Sequence, residues 1–302
     1  MSAKAGVLSS FVVLAAASAQ GGPPPIPVEL RSRFGFEGPL VVKVGDGIDS
    51  LRLVDVDGDG RNEAVVEDAR RARLAVVRVK DRKAVLDSVP TEGQIAAYAV
   101  ADVHGDGVPD LLTVDARGRL TIRHPGKPAG TPPIDLGLSA RGLELLPGDL
   151  DGDGKHDLVA VASNGLRVLT RIGDAPVLSP IDAVEDNASG FRLLDADGDQ
   201  DLDLVAIASG SNKNLRLRPG RGDGSFGAWR VLGIDGLRAL WPTTTGDGKP
   251  ALAVIAGRLG SVSVRQWIAN GDEPAMQWWA IPEAAAKPLP FAVGDVDGDG
   301  DE

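Results

Sequence analysis

Past residue 33 the chain alternates between short apolar runs of strand length and acidic, glycine-rich loops. The unit is clearest around residue 150. Leu143-Glu-Leu-Leu146 leads into one such loop, and Asp157-Leu-Val-Ala-Val-Ala162 leaves it as a continuous apolar run. Ser163-Asn-Gly165 reads as a tight turn, after which residues 166–171 alternate apolar and polar positions, as a strand with two unlike faces does. A looser fourth strand falls near residues 176–181. The next copy repeats the plan at residues 191–194, 203–208, 215–218 and 229–232. Continuous apolar runs predict inner strands covered on both faces. Beyond the N-terminal region no segment sustains a helical period.

The acidic loops recur six times, with first positions at Asp55, Asp102, Asp149, Asp195, Thr243 and Asp295, in steps of 47, 47, 46, 48 and 52 residues. A fixed period of this size marks one supersecondary unit copied along the chain, and four strands in about 47 residues is the economy of a propeller blade. The predicted fold class is all-β, a β-propeller of four-stranded blades, with about five complete blades and a partial end blade. Glu302 falls inside the sixth loop, so the ring is expected not to close within this chain. Residues 36–44 lie within a segment, 34–44, that matches residues 225–233, which hold the fourth-strand position before the fifth blade. They are expected to be an outermost strand without a blade of its own, which leaves the end blades with exposed apolar faces.

The fullest loops read D-x-D-G-D-G-x-x-D. Calcium takes roughly six to eight oxygens at about 2.3–2.6 Å, and charged oxygens bring the affinity. Acids at positions one, three and five converge only if the chain curls, which glycines at positions four and six permit by adopting positive φ. Position seven then offers its carbonyl, and the acid at position nine closes the shell. Loop one supplies Asp55, Asp57, Asp59, Arg61 through its carbonyl, and Glu63. Loop three supplies Asp149, Asp151, Asp153, Lys155 through its carbonyl, and Asp157. Loop four supplies Asp195, Asp197, Asp199, Asp201 and Asp203, but has Gln200 where its relatives have glycine. A non-glycine residue in left-handed geometry costs about 1–2 kcal/mol. Loop two keeps Asp102, Asp106 and Asp110 but carries His104 at position three, and imidazole is a poor partner for a hard cation. Weak occupancy is expected there. Loop five retains only Asp247, with Thr243, Thr245 and Ala251 at the other positions, and should not bind. Loop six offers Asp295, Asp297 and Asp299 and stops short of position nine. A lone loop of this kind can equally be a tight acidic turn; three intact copies at fixed spacing favour the metal. Dockerin modules share the acid spacing but continue into helices and repeat at about half the interval, unlike the strands here.

Composition narrows the picture further. The 302 residues are 43% hydrophobic, ample for a large core, and 39 glycines with 21 prolines mark a turn-rich chain. Net charge is -11, and about half of the acids lie inside the six loops. That balance argues against nucleic acid and anionic membrane surfaces as partners. At the N-terminus, Lys4, an apolar run over residues 5–16 and Ala17-Ser-Ala19 read as a signal peptide of residues 1–19. The run is shorter than the ~20 residues of a membrane span. Residues 20–32 follow as a Pro/Gly-rich linker, and residues 33–302 form the repeat domain. Cysteine is absent, so no disulfide braces the exported chain.

The loops resemble those of the FG-GAP and VCBS repeat family, also seen in integrin α-subunit propellers. The resemblance rests on the acid-rich loops, on the apolar pairs that follow position nine (Leu111-Leu112, Leu158-Val159, Leu204-Val205) and on Gly222-Asp-Gly-Ser-Phe226, which matches the family's glycine-rich turn. It covers nearly the whole chain after the linker. It implies calcium at positions one, three, five, seven and nine, and a ring most often of seven blades. Family members include adhesion receptors, lectins and accessory domains of polysaccharide lyases, so no one activity is implied.

The chain holds no G-x-S-x-G, P-loop or H-E-x-x-H. Of its three histidines, His104 and His156 sit in acidic loops and His124 ends a strand before Pro125. All five tryptophans (Trp229, Trp241, Trp267, Trp278, Trp279) fall between the fourth and fifth blades. They are core packing between outer strands or a stacking surface for sugars. Arg221-Gly222-Asp223 spells an integrin-binding tripeptide but lies within the family's own turn, and coincidence is the better reading. These features together predict an exported, calcium-binding propeller that serves as a binding or adhesion module for an extracellular protein or carbohydrate, at the cell surface, in the medium or in the periplasm. The rival is a lectin or polysaccharide lyase, or an accessory propeller of an enzyme whose catalytic part lies beyond residue 302. Oligomeric state is not legible.

Overall fold

The computed structural model describes residues 42–281 apart from short stretches at 45–47, 69–70, 82, 92, 125–131, 185–187, 209–213, 233–236, 245–249, 257–261 and 269–274. The expected signal peptide, the linker, most of residues 36–44, the acids of loop six and Asp247 of loop five therefore lie outside the described residues. Among the described residues, twenty strands form five antiparallel four-stranded sheets, each paired in chain order as a meander. The fold class is all-β, a β-propeller built of four-stranded blades. Among the described residues no helix is long and apolar enough to cross a membrane, which says nothing of membrane barrels.

The chain divides into two compact units. The first holds one sheet, β1 (Ile48–Val54), β2 (Glu63–Asp68), β3 (Arg73–Lys80) and β4 (Lys83–Pro90). Its core is the central pair, where residues 64–66 and 74–77 are all buried. On β1, Leu51 and Leu53 stand 60% and 57% exposed. The fourth-strand place beside β3 is taken by β4 from Arg73↔Pro90 to Lys80↔Lys83. Residues 42–44 are in no strand, although the Arg73 guanidinium donates to the Val44 carbonyl at 3.1 Å.

The second unit runs through the other four sheets and also contains residues 54–62. Its strands are β5 (Ile95–Ala101), β6 (Asp110–Asp115), β7 (Arg119–Arg123) and β8 (Ile134–Asp135); β9 (Glu144–Gly148), β10 (Asp157–Ala162), β11 (Gly165–Thr170) and β12 (Val177–Leu178); β13 (Ser189–Leu194), β14 (Asp203–Ile207), β15 (Leu215–Arg218) and β16 (Arg230–Leu232); and β17 (Leu237–Thr244), β18 (Pro250–Ala256), β19 (Val262–Ile268) and β20 (Ala275–Ile281). The first strands β5, β9, β13 and β17 neighbour one another in chain order, as inner strands of successive blades do. In the third and fourth sheets the second strand is the most deeply covered. All six residues of β10 and all five of β14 are buried, which is why those segments read as unbroken apolar runs.

Three apolar clusters lie between successive sheets of this unit. One joins Leu112, Leu120, Ile122 and Leu136 to Leu143, Leu158, Leu169 and Ile172. The next joins Val159, Val161, Leu166 and Val168 to Phe191, Leu204 and Phe226. The last joins Val205, Leu215 and Leu217 to Leu237, Leu240 and Leu252. Face-to-face packing of twisted sheets thus repeats without a helix. In the first four blades the strand-one to strand-two connection is an acidic loop, so the loops inherit the period of the blades.

One tryptophan departs from the expected grouping. Trp229 packs against the cluster between the third and fourth sheets, not between the fourth and fifth, with the Arg218 guanidinium 5.5 Å from its ring centre. The physical reason is the turn before it. Gly227 N–H donates to the Pro219 carbonyl at 2.7 Å, folding residues 220–226 back across the sheet edge and carrying Phe226 and Trp229 onto the previous blade. Trp241, Trp267, Trp278 and Trp279 are strand residues of the fifth sheet.

Candidate metal centre

Every described loop between a first and second strand closes through the same hydrogen bonds. The acid at position one accepts the backbone N–H groups of positions four and six: Gly58 and Gly60 on Asp55 at 2.7 and 2.8 Å, Gly105 and Gly107 on Asp102 at 2.7 and 2.7 Å. Gly152 and Gly154 bond Asp149 at 2.8 and 3.0 Å, and Gly198 and Gln200 bond Asp195 at 2.7 and 3.1 Å. The acid at position five accepts the N–H of position seven, as in Asp59–Arg61, Asp106–Val108, Asp153–Lys155 and Asp199–Asp201. Such side-chain to backbone bonds give the loop a turn conformation before any ion is considered. In loops one and two they also favour the ionised form of the position-one acid. Burial pushes Asp55 and Asp102 up, but the glycine N–H groups outweigh it, and both carboxyls lie below the ordinary range.

The position-six residue must take positive φ for its N–H to reach the position-one carboxylate. Gly60, Gly107 and Gly154 do so at 81°, 79° and 81°, and Gln200 does so at 77°. Gln200 therefore carries the strain expected of it. Replacing it should relieve about 1–2 kcal/mol of left-handed strain, less about 0.5–1 kcal/mol for glycine's own entropy. At roughly 2–4 °C per kcal/mol, Gln200→Gly is expected to raise the melting temperature by up to about 6 °C. A calorimetric scan showing a lower midpoint would remove the strain argument.

Position nine is the first residue of the second strand and the deepest acid of each loop. Asp157 takes the Leu150 and Arg171 N–H groups, both at 3.1 Å; Asp203 takes those of Ala196 and Gly220, both at 2.7 Å. Burial pushes both carboxyls up to about 6 against these bonds, with Asp151 and Asp153 adding to the rise at Asp157, and Asp197 and Asp199 at Asp203. Asp197 is raised too, by burial first and then by Asp199 and Asp195. In loop three, carboxylate oxygens of Asp149, Asp151 and Asp157 lie within 4.8 Å of one another; in loop four those of Asp195, Asp197 and Asp199 do. Like charges held this close without a counter-ion repel, and an oxygen-loving divalent cation is the group that would relieve them. In loop one, Asp55, Asp57 and Asp59 belong to the second unit, while Glu63 is buried at the start of β2 in the first.

Loop two is built differently. Asp110, at position nine, is fully buried and takes the Val103 N–H at 3.1 Å on Oδ2. The same oxygen lies 2.8 Å from His104 Nδ1, and Oδ1 lies 2.8 Å from His124 Nδ1. His124, which follows β7, thus occupies the place held by a backbone N–H in loops three and four. The sequence reading gave it no role. Its spacing was the available signal: it stands fourteen residues after position nine, as Arg171 does in loop three.

Neighbouring loops touch. His156 N–H donates to the Asp102 carbonyl at 2.9 Å, Asp102 N–H to His156 Nδ1 at 3.1 Å, and the Lys155 ammonium pairs with Asp174 at 2.6 Å. Of the position-seven residues, Lys155 directs its side chain away from its own loop. The Arg221-Gly222-Asp223 segment is a turn seated on loop four, where a side chain at Gly222 would strike the Asp201 carboxylate at 2.6 Å.

The loops and strands of residues 102–206 have known relatives. A family model described as FG-GAP-like repeat matches residues 102–160 and 149–206. Residues 102–206 carry FG-GAP-like repeats. The matched stretches start at Asp102 and Asp149, the first acids of loops two and three, so each FG-GAP-like repeat begins on a loop and reaches into the second strand of the next blade. Among solved structures, the crystal structure of BBS1N in complex with ARL6DN, soaked with mercury, is similar over 77% of this chain and 88% of that chain, at 14% identity and a TM-score of 0.38. No curated protein matches this sequence.

Proposed function

We propose that this chain is an exported, calcium-braced propeller module that binds a protein or polysaccharide outside the cytoplasm, with the ions stabilising the scaffold rather than reacting. The observation that carries the reading is the repetition of one curled loop geometry in loops three and four, where carboxylates converge above a buried acid, Asp157 or Asp203, at the start of the second strand. A polar cluster repeated from blade to blade without a counter-charge, as in loops three and four, is costly, and calcium removes the cost while tying strand one to strand two. Blades then present their connecting loops as a binding face, as repeat folds commonly do. Loops one, three and four are the calcium sites, through the residues assigned from the sequence. Loop five takes none.

Calorimetric titration of the full chain with calcium is the direct test, and three ions per chain are expected. Absence of any saturable uptake would end the calcium reading. For the ligand, a glycan array and a panel of extracellular proteins, each probed with and without EDTA, should return binding that calcium removal weakens. Residues 20–302 are further expected to release no reducing or unsaturated ends from acidic or neutral polysaccharides in calcium. Sustained release, abolished by one substitution outside the loops, would make the chain an enzyme instead.

A further inference from the structure

Loop two has lost an acid where its relatives keep one, and in exchange two imidazoles converge on one carboxylate. His104 replaces the position-three acid, and His124 arrives from the end of the third strand. Their ring centres are 5.1 Å apart at an interplanar angle of 75°, so the rings meet edge to face rather than stacked. Both are largely covered, with side chains 23% and 11% exposed, over the fully buried Asp110. Potential ligand atoms of His104, Asp110 and His124 lie within 4.8 Å of one another. Asp106 closes the group from the solvent side, its Oδ2 being 3.5 Å from His124 Nε2.

We propose that loop two is a site for a borderline divalent transition ion of the zinc class, held by His104, His124 and Asp110, in a repeat whose sister loops are built for a hard cation. The donor set decides the ion class. Two neutral imidazole nitrogens and one carboxylate suit zinc, whereas calcium takes oxygens almost exclusively. The distances are compatible with insertion. Zinc bonds of about 2.0–2.1 Å in tetrahedral array separate neighbouring donors by about 3.3 Å. The 2.8 Å nitrogen–oxygen contacts to Asp110 would each open by about half an ångström, a movement of side-chain rotors alone. The Val103 N–H holds Asp110 in place, as the outer partners of metal-ligating carboxylates do. Three protein donors leave the fourth position of a tetrahedral site open, while Asp106 faces the other ring nitrogen of His124.

The chain suits a clean test, having three histidines and no cysteine. The full chain, prepared without a histidine tag and stripped with EDTA, is titrated with zinc and, separately, cobalt in millimolar calcium. Calcium saturates the acidic loops, so the result is independent of whether they bind it. One zinc per chain is expected, with cobalt showing the visible ligand-field absorption of a four-coordinate site. His104→Asp restores the acid of the sister loops, and His124→Gln keeps a hydrogen-bond donor, so both should fold, as melting curves would check. Each should lower zinc affinity by at least about tenfold, a loss that even outer partners of a metal produce. His156→Gln should bind as the parent does. A parent chain with no saturable zinc uptake would make the cluster a hydrogen-bonded pin and overturn the proposal. So would unchanged affinity in both His104→Asp and His124→Gln, or a loss confined to His156→Gln.

Discussion

In about 10 mM calcium, Asp151→Ala is expected to lower the melting temperature by roughly 3–10 °C, while Asp247→Ala leaves it unchanged. Extracellular modules bind calcium with constants of about 0.1–1 mM. Ten- to hundredfold saturation then stabilises by about 1.4–2.7 kcal/mol per site, at roughly 2–4 °C per kcal/mol. Asp151 stands beside Asp149 and Asp157 in loop three, whereas Asp247 is the last acid of a loop that has lost the rest. In EDTA the sign should invert. The charge of Asp151 helps push Asp157 up, so its removal relieves repulsion and the variant should melt no lower than the parent. Equal effects of the two substitutions in calcium would sink the ranking of the loops. A drop of equal size in EDTA would show that Asp151 acts through the fold and not through an ion.

Much of this architecture was legible because two periods coincide. The step of about 47 residues located the blades, and the switch from curled acidic loop to apolar run located each second strand almost to the residue: β10 and β14 begin at Asp157 and Asp203, the position-nine acids. The positive φ of Gln200 was legible too, because its place in the motif is a glycine in the sister loops. What escaped was contact between segments of unlike spacing. His124 lies outside any loop motif, and only the pairing of β6 with β7 brings the end of the third strand back over Asp110. Trp229 was grouped with its neighbours in sequence, yet the Pro219–Gly227 turn turns it towards the preceding blade. The motif also hid how loops close without metal. Position-one acids are already bonded by backbone N–H groups, so their carboxylates shape the loop as well as offering oxygens to an ion.

In EDTA the protein should lose stability as the pH rises from 5 to 7, the reverse of the usual carboxylate behaviour, and calcium should abolish or invert that slope. Asp157 and Asp203 are raised from 3.8 to about 6 by burial, so between those values the folded chain holds more protons than the unfolded one. Stability from these two groups is complete below 3.8 and is lost as the pH climbs through about 6. Each full shift is worth at most about 3 kcal/mol, and solvent screening at the loop surface reduces that to about 1–2 kcal/mol. Asp55 and Asp102, held low, act in the opposite sense, but their contribution is lost only as the pH falls below 3.8, outside this window. A bound divalent ion favours the ionised carboxylates and competes with their protons, so in calcium the midpoint should stay level or rise from pH 5 to 7. Melting curves across that range, with EDTA and with calcium, measure both slopes. The double substitution Asp157→Asn with Asp203→Asn should flatten the EDTA curve. An EDTA midpoint that climbs with pH, or a downward slope that survives in the double variant, would place the titrating groups elsewhere and remove these two carboxylates as the strained acids of the loops.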